Sequence, residues 1–142
     1  MRLVKHLLED KGSAIHAIEP DKPVLEAIRG MADKRIGALL VMRGAQLLGI
    51  VSERDYARKV ILQGRSSADT PVREIMSASV LTVAPGDSVG QCMKLMTDKR
   101  VRHLPVVEDG RVVGVVSIGD LVKAVIEDQA QELEHMQRYI SS

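Results

Sequence analysis

The sequence contains no tryptophan and no phenylalanine, and Tyr56 and Tyr139 are its only aromatic residues. Proteins that hold single-stranded nucleic acid stack bases on aromatic platforms, so that class has little to build with. Charge of one sign is equally scarce: 20 Lys and Arg stand against 19 Asp and Glu, a net charge of +1, and no polybasic field steers the chain to phosphate backbones. Cys92 is the single cysteine, which excludes an internal disulfide. Set between Val89 and Met93 on an expected helix, it reads as a small buried hydrophobe rather than a nucleophile. The longest apolar run, Ala38 to Met42, is far too short to span a membrane, and the stretch from Met1 to His6 lacks the apolar core of a signal peptide. A reduced cytoplasm is the expected location. His6, His16, His103 and His135 are scattered and have no cysteine support, so no metal site is expected. No serine or cysteine has a His and an acid beside it in a local catalytic motif, so the chain is not expected to be an enzyme.

What is present is a soluble globular balance, 45% hydrophobic and 27% charged over 142 residues. A chain of this length buries most of its apolar surface and needs no covalent or metal staple. Its dominant feature is an internal repeat. Gly49-Ile50-Val51-Ser52-Glu53-Arg54-Asp55 returns 65 positions later as Gly114-Val115-Val116-Ser117-Ile118-Gly119-Asp120. Extended without a gap, Ile15–Ile61 aligns with Val80–Ile126, and identities recur at Pro20 and Pro85, Met31 and Met96, Arg35 and Arg100, Leu39 and Leu104, and Val60 and Val125. One supersecondary unit is used twice, as happens when a single copy cannot cover its own apolar face.

Each copy reads as strand, helix, strand, strand, helix, an α/β (α+β) pattern. Ile15–Ile18 and Val80–Val83 are short apolar runs closed by Pro20 and Pro85. Val24, Ala27, Ile28 and Met31, and likewise Val89, Cys92, Met93 and Met96, have the spacing of one buried helix face, with Ser88 and Gln91 spaced as a capping box. Leu39–Met42 and Leu47–Val51 flank a turn at Gly44, and Leu104–Val107 and Val112–Val116 flank Asp109-Gly110, which favours positive φ. Helices then start near Glu53 and Ile118, the first ending near Gly64. Val4–Leu8 and Val72–Met76 are similar lead-ins. The expected division is a first unit at 1–64, a polar linker at 65–71, a second unit at 72–126 and a helical extension at 127–142. The extension carries an apolar stripe of Ile126, Leu133, Met136 and Ile140, open either to a partner subunit or to its own domain.

The chemistry concentrates at the two Gly-x-Val-Ser-x-x-Asp turns. A strand leading into a helix there aims N–H groups and the positive helix end at whatever lies over the turn, which favours an anion. Ser52 or Ser117 can donate to a phosphate oxygen, Gly49 or Gly114 gives close approach to the backbone, and Asp55 or Asp120 offers two acceptors to the paired hydroxyls of a ribose. The same Ser-x-x-Asp spacing is also a capping box, which needs no ligand. Arg102 and His103 precede a strand of copy two, where copy one has Gly37 and Ala38, so the copies are unequal. Paired about a pseudo-twofold axis, Arg102 and His103 could approach phosphates at both Ser turns; as solvated charges they would have no common target. Asp33-Lys34-Arg35 and Asp98-Lys99-Arg100 suit helix ends, where cations meet the negative end of the dipole.

At these residues the chain resembles a tandem pair of cystathionine-β-synthase (CBS) domains, a Bateman module, of the small stand-alone bacterial type. The resemblance covers Ile15 to Ile126 and rests on Gly-x-Val-Ser-x-x-Asp in both copies, on Arg102-His103-Leu104-Pro105-Val106-Val107 and on the run from Glu53 to Val60. It implies two β-α-β-β-α units packed through their sheets, with two clefts for adenosine compounds such as AMP, ADP, ATP, NAD(H) or S-adenosylmethionine, and no required cofactor. In one cleft it implies Ser117 at phosphate and Asp120 at ribose, with Val115 and Gly119 beside them, Ile36 and Gly37 lining the base pocket, His16 near the purine and Arg102 near phosphate. In the other it implies Ile50, Ser52, Arg54 and Asp55 with Leu81, Val101, Arg102 and His103. Copy one departs from the family's His/Arg-x-Pro pattern at Gly37, Ala38 and Leu40, which sets the clefts apart. The resemblance further implies a homodimer formed through helices; a partner protein that reads the change in geometry is expected with it, and the composition leaves nucleic acid and membrane out.

Overall fold

The computed structural model describes residues 2–141; Met1 and Ser142, the outer ends of the expected first unit and of the tail, lie outside them. In chain order the elements are α1 (Val4–Lys11), β1 (Ala17–Ile18), α2 (Val24–Lys34), β2 (Ala38–Arg43), β3 (Gln46–Ser52), α3 (Glu53–Tyr56), α4 (Val89–Lys99), β4 (His103–Glu108), β5 (Arg111–Ser117) and α5 (Ile118–Ser141). A wide π turn, Ala57–Ile61, prolongs α3, and a 3-10 turn, Val72–Glu74, precedes α4. The chain is thus mixed α/β, with two small sheets among the described residues, β1-β2-β3 and β4-β5.

Two compact units form, and they do not follow the copies. One is Ile15–Leu81; the other joins the residues up to Ala14 with those from Thr82 onward. The lead-in that heads copy one in the sequence therefore packs with copy two. Backbone bonds hold it there: Val4 N–H donates to the Asp87 carbonyl at 2.8 Å, Lys5 N–H to Pro85 at 3.0 Å, and Val89 N–H to Arg2 at 3.1 Å. Val4 and Leu7 are buried in that unit. Correspondingly, Val72 N–H bonds the Lys22 carbonyl at 2.8 Å, and Val72 and Ile75 are buried with copy one.

The polar stretch 65–71, expected as a linker, is structural. Helix α2 begins after Pro23 with no side-chain cap, and its first free N–H groups, of Val24 and Leu25, donate instead to the carbonyls of Thr70 and Ser67 at 2.8 and 3.0 Å. Unpaired helix-start donors would otherwise need water. Thr70, buried, closes the segment by donating its hydroxyl to the Ser66 carbonyl.

In unit Ile15–Leu81, β1 lies parallel to β2 and β2 pairs antiparallel with β3 through a turn in which Gly44 has φ 59°. Val24, Ala27 and Met31 of α2, with Leu39, Val41, Val51, Val60, Val72 and Ile75, form its core. The second hairpin, β4 and β5, turns at Asp109 and Gly110, with φ of 52° and 77°, the positive pair that a tight hairpin matches to strand twist. The first strand of each copy is shorter than expected. In copy one only Ala17–Ile18 pairs; in copy two the run 80–83 keeps a single parallel bridge, Val83 to Val106. In copy two the further loss has a proline as its cause. Leu40 N–H donates to His16 at 3.1 Å, but the equivalent position is Pro105, which has no N–H to give.

Helix α4 starts at the capping box expected from its sequence, the Ser88 oxygen accepting the Gln91 N–H and the Gln91 side chain accepting the Ser88 N–H. Cys92 lies on its buried face, where burial first, and then Asp87, push the thiol up to about 11. Both α2 and α4 end on an arginine in the left-handed region, Arg35 and Arg100, which lets the last carbonyls be capped. Helix α5 runs unbroken through the expected boundary at 126–127. It buries Leu121 and Ala124, and every side chain from Gln129 to Ser141 is exposed, so the tail stripe does not cover its own unit. No helix among the described residues is long and apolar enough to cross a membrane.

Candidate functional site

In unit Ile15–Leu81, β3 ends at Ser52 in extended conformation and α3 starts at once. Asp55 Oδ2 accepts the Ser52 N–H at 2.9 Å and the Ser52 hydroxyl at 3.0 Å, while the Asp55 N–H donates to Ser52 Oγ at 3.2 Å. Lys59, one helical turn on, brings Nζ to 3.2 Å from Asp55 Oδ1 and donates to the Ile75 carbonyl at 2.8 Å. The other unit repeats the box: Ser117 N–H donates to Asp120 Oδ2 at 2.8 Å, and Asp120 N–H to Ser117 Oγ at 3.2 Å. In both turns the first helical N–H meets the residue just ahead of the neighbouring strand, Glu53 donating to the Gly37 carbonyl before β2 at 3.1 Å and Ile118 to the Arg102 carbonyl before β4 at 2.9 Å. The capping reading of Ser-x-x-Asp is therefore realised twice. The positive end of each helix is already met by a carboxylate, so what each turn presents outward is an acceptor.

A cation offsets each acid, and the two come from different places. At Asp55 it is Lys59 of the same helix; at Asp120 it is Lys11 of α1, whose Nζ stands 2.7 Å from Oδ2 and also donates to the Val115 carbonyl at 2.9 Å. Burial raises the Asp120 carboxyl, but the Lys11 ammonium and the Ser117 N–H and hydroxyl together outweigh it and hold the group below the usual carboxylate range. Helical spacing marks Lys59 in the sequence. Nothing marks Lys11, which lies 109 positions from its partner.

His103 stands opposite Ser117 across the β4–β5 ladder. Burial lowers its pKa, and the charges of Lys11 and Arg102 add to that against the opposing pull of Asp120. Ser117, Asp120, His103, Val115 and Lys11 thus share one corner of their unit. Arg102 contributes its carbonyl there while its residue is exposed; Gly119 is exposed in the first turn of α5, and Val101 is half-buried, its N–H donating to Met96. In unit Ile15–Leu81 the turn gathers Ser52, Asp55 and Gly37, with Arg54 exposed on α3 and Ile50 half-buried in β3. Ile36 packs on the core, and Leu81 is half-buried beyond the strands. His16 sits apart from that turn, in a groove of about 470 Å³ lined by Ile18, Glu26, Gly30, Lys34 and Leu39.

The repeated glycines serve the lead-ins rather than a ligand. A methyl on Gly49 would stand 2.7 Å from the Ser77 carbonyl oxygen and 2.8 Å from Met76 Sδ, and one on Gly114 would stand 2.7 Å from Leu8 Cδ2. The close approach expected at these positions is made by the chain itself.

The CBS domain family model matches residues 12–61 and 72–127. A mitochondrial CBS domain-containing protein of Arabidopsis thaliana, CBSX3, is 44% identical over 125 residues, which cover 84% of this chain and 61% of that protein. A relative from Methanopyrus kandleri matches over 63% of its own length, so the chain spans about three fifths of the first curated relatives it matches. Among solved structures, a protein with CBS domains from Burkholderia ambifaria superposes with a TM-score of 0.87 at 52% identity, covering 90% of this chain and 96% of that one. A CBS domain pair in complex with 5′-methylthioadenosine and S-adenosylmethionine superposes with a TM-score of 0.80 at 25% identity, covering 90% and 98%.

Proposed function

Because the chain belongs to the CBS domain family, with one domain in each copy of its repeat, we propose that it is a non-catalytic regulatory module that binds an adenosine compound and passes the signal to a partner protein. The ligand is AMP, ADP, ATP or NAD(H), which report energy or redox state, or another adenosine compound such as S-adenosylmethionine. The observation that carries this reading is the repeated outward carboxylate. Asp55 and Asp120 are placed alike in the first turn of a helix that follows a strand, each fixed by a serine, and each offers what a ribose diol donates to. A CBS pair of similar fold holds two adenosine compounds, which supports the same ligand class here. Arg102 and Lys11, whose charges both reach His103, supply positive charge at the Asp120 turn for a phosphate. A homodimer is part of the reading, with the exposed Ile126, Leu133, Met136 and Ile140 of α5 available to a second copy.

Isothermal titration with AMP, ATP and NADH on wild type, Asp55→Ala and Asp120→Ala tests it. Hydrogen bonds to a charged group are worth about 1.5 to 3 kcal/mol, so loss of the carboxylate that holds the ribose weakens binding roughly tenfold or more. Absence of heat with all of these ligands rejects the reading. A second reading has its own support, since both Ser-x-x-Asp boxes are complete without a ligand. In it the chain is a ligand-independent interaction scaffold, and nucleotides leave its melting temperature unchanged.

A further inference from the structure

Helix α1 delivers one ammonium to the Asp120 turn. The helix itself is anchored: Val4 and Leu7 are buried, and Leu8 fills the space over Gly114. Arg2 adds ion pairs to Glu127 at 2.9 Å and Asp128 at 3.1 Å on α5. At the far end, Lys11 Nζ is bonded to Asp120 Oδ2 and to the Val115 carbonyl. The next residue, Gly12, has φ 93° and open space around it, so the helix ends at a point that can fray. Copy one needs no such delivery, because Lys59 follows Asp55 by one turn; the matching residue of copy two is Ala124, buried and uncharged.

We infer that Lys11 is a built-in occupant of the Asp120 turn, displaced when the vicinal hydroxyls of a nucleoside take the carboxylate, so that ligand binding loosens the end of α1 at Glu9–Gly12. This rests on the nucleoside reading above. A diol bound to a carboxylate donates to both oxygens, and Oδ2 already takes two donors, the Ser117 N–H and the Lys11 ammonium. The ammonium is the removable one, since the serine is part of the helix cap. Its release has somewhere to go: a cavity of about 280 Å³ beside the pair is lined by Asp10 and Glu127 as well as Arg2 and Lys123. Both partners are partly exposed, at 39% and 25% of the side chain, so the ion pair is weak enough for a ligand to break.

Adenosine is the probe, because it presents the diol without a phosphate for the lysine to attract. Calorimetry on wild type, Lys11→Met and Asp120→Ala is combined with hydrogen exchange on Glu9–Gly12 of the wild type, which needs no variant to fold. Removing the competitor is expected to tighten adenosine binding two- to fivefold in Lys11→Met, and saturating adenosine is expected to speed exchange at the Gly12 amide, which donates to Leu8 at 2.9 Å. Equal or weaker binding by Lys11→Met, unchanged or slower exchange at residues 9–12, or no binding of adenosine at all overturns the inference. The two readings fail separately: AMP binding that Asp120→Ala weakens, without any gain in Lys11→Met, leaves the nucleotide module standing and removes only the displaced lysine.

Discussion

Gly49 and Gly114 occupy matching places in the two copies, yet the same substitution should cost them differently. Both are buried, and an added methyl at either would come within 2.7 Å of another atom. At Gly49 that atom is the Ser77 carbonyl oxygen, which accepts the Ile50 N–H at 3.0 Å while Ser77 N–H returns to the Ile50 carbonyl at 2.9 Å. Moving it breaks a two-bond bridge. At Gly114 it is the end of the Leu8 side chain, which can change rotamer. Overpacking costs about 1 to 3 kcal/mol, and replacing glycine returns about 0.4 to 1 kcal/mol by restricting the unfolded chain. Gly49→Ala should therefore lose about 1 to 2 kcal/mol, and Gly114→Ala should stay within about 1 kcal/mol of wild type. For a chain of this length the first loss lowers Tm by roughly 3 to 8 °C. Urea denaturation followed by circular dichroism, with calorimetric Tm as a second measure, resolves such a gap. Equal stability of the two variants would refute the reasoning, because it would mean that the backbone at Ser77 yields as readily as a leucine side chain.

The folded pKa of His103 lies below that of a free imidazole, so between about pH 6.5 and that lower value the unfolded chain binds more protons and stability falls as pH falls. His103→Gln should flatten the dependence of Tm on pH between about 7 and 5.5, measured by scanning calorimetry; an unchanged slope assigns it to another group. Asp120 is a depressed acid, so its contribution is present above about pH 4 and is lost as pH falls through the folded value; Asp120→Asn should destabilise at neutral pH and have a smaller effect near pH 3. Ending the chain after Asp128 removes only exposed side chains among the described residues, so Tm at low protein concentration should shift by no more than about 2 °C. Analytical ultracentrifugation of the same variant should show a weaker dimer, and an intact one would place the proposed contact elsewhere.

The periodic parts of the fold were legible from sequence because their cause is local. Apolar spacing marks α2 and α4, Asp109-Gly110 marks its hairpin, Ser88 and Gln91 mark their cap, and a repeat in register extends each reading to its twin. The mixed α/β class and the family follow from the same residues. What escaped depends on which segments meet. Lys11 reaches Asp120 only because α1 packs with the copy farther along the chain, and the carbonyls of Ser67 and Thr70 cap α2 although their side chains read as a linker. Pro105 was a readable signal for the strand pairing lost ahead of Val83, since a residue without an N–H cannot extend a ladder. The glycines at 49 and 114 carried a true steric message whose recipient, Met76 and Ser77 or Leu8, no local pattern identifies.

The exchange of lead-ins also sets an order of assembly during synthesis. Ile15–Leu81 is one continuous stretch, so every contact within it is available once Leu81 has left the ribosome. Helix α1 emerges earlier but has no partner until the chain from Thr82 onward is made, and Arg2 waits for Glu127 and Asp128. At about 5 to 20 residues per second that delay is roughly 5 to 25 s, during which the apolar side chains of Val4 and Leu7 lie uncovered. Helix α1 is therefore made before the segments it packs on and is seated only after they follow.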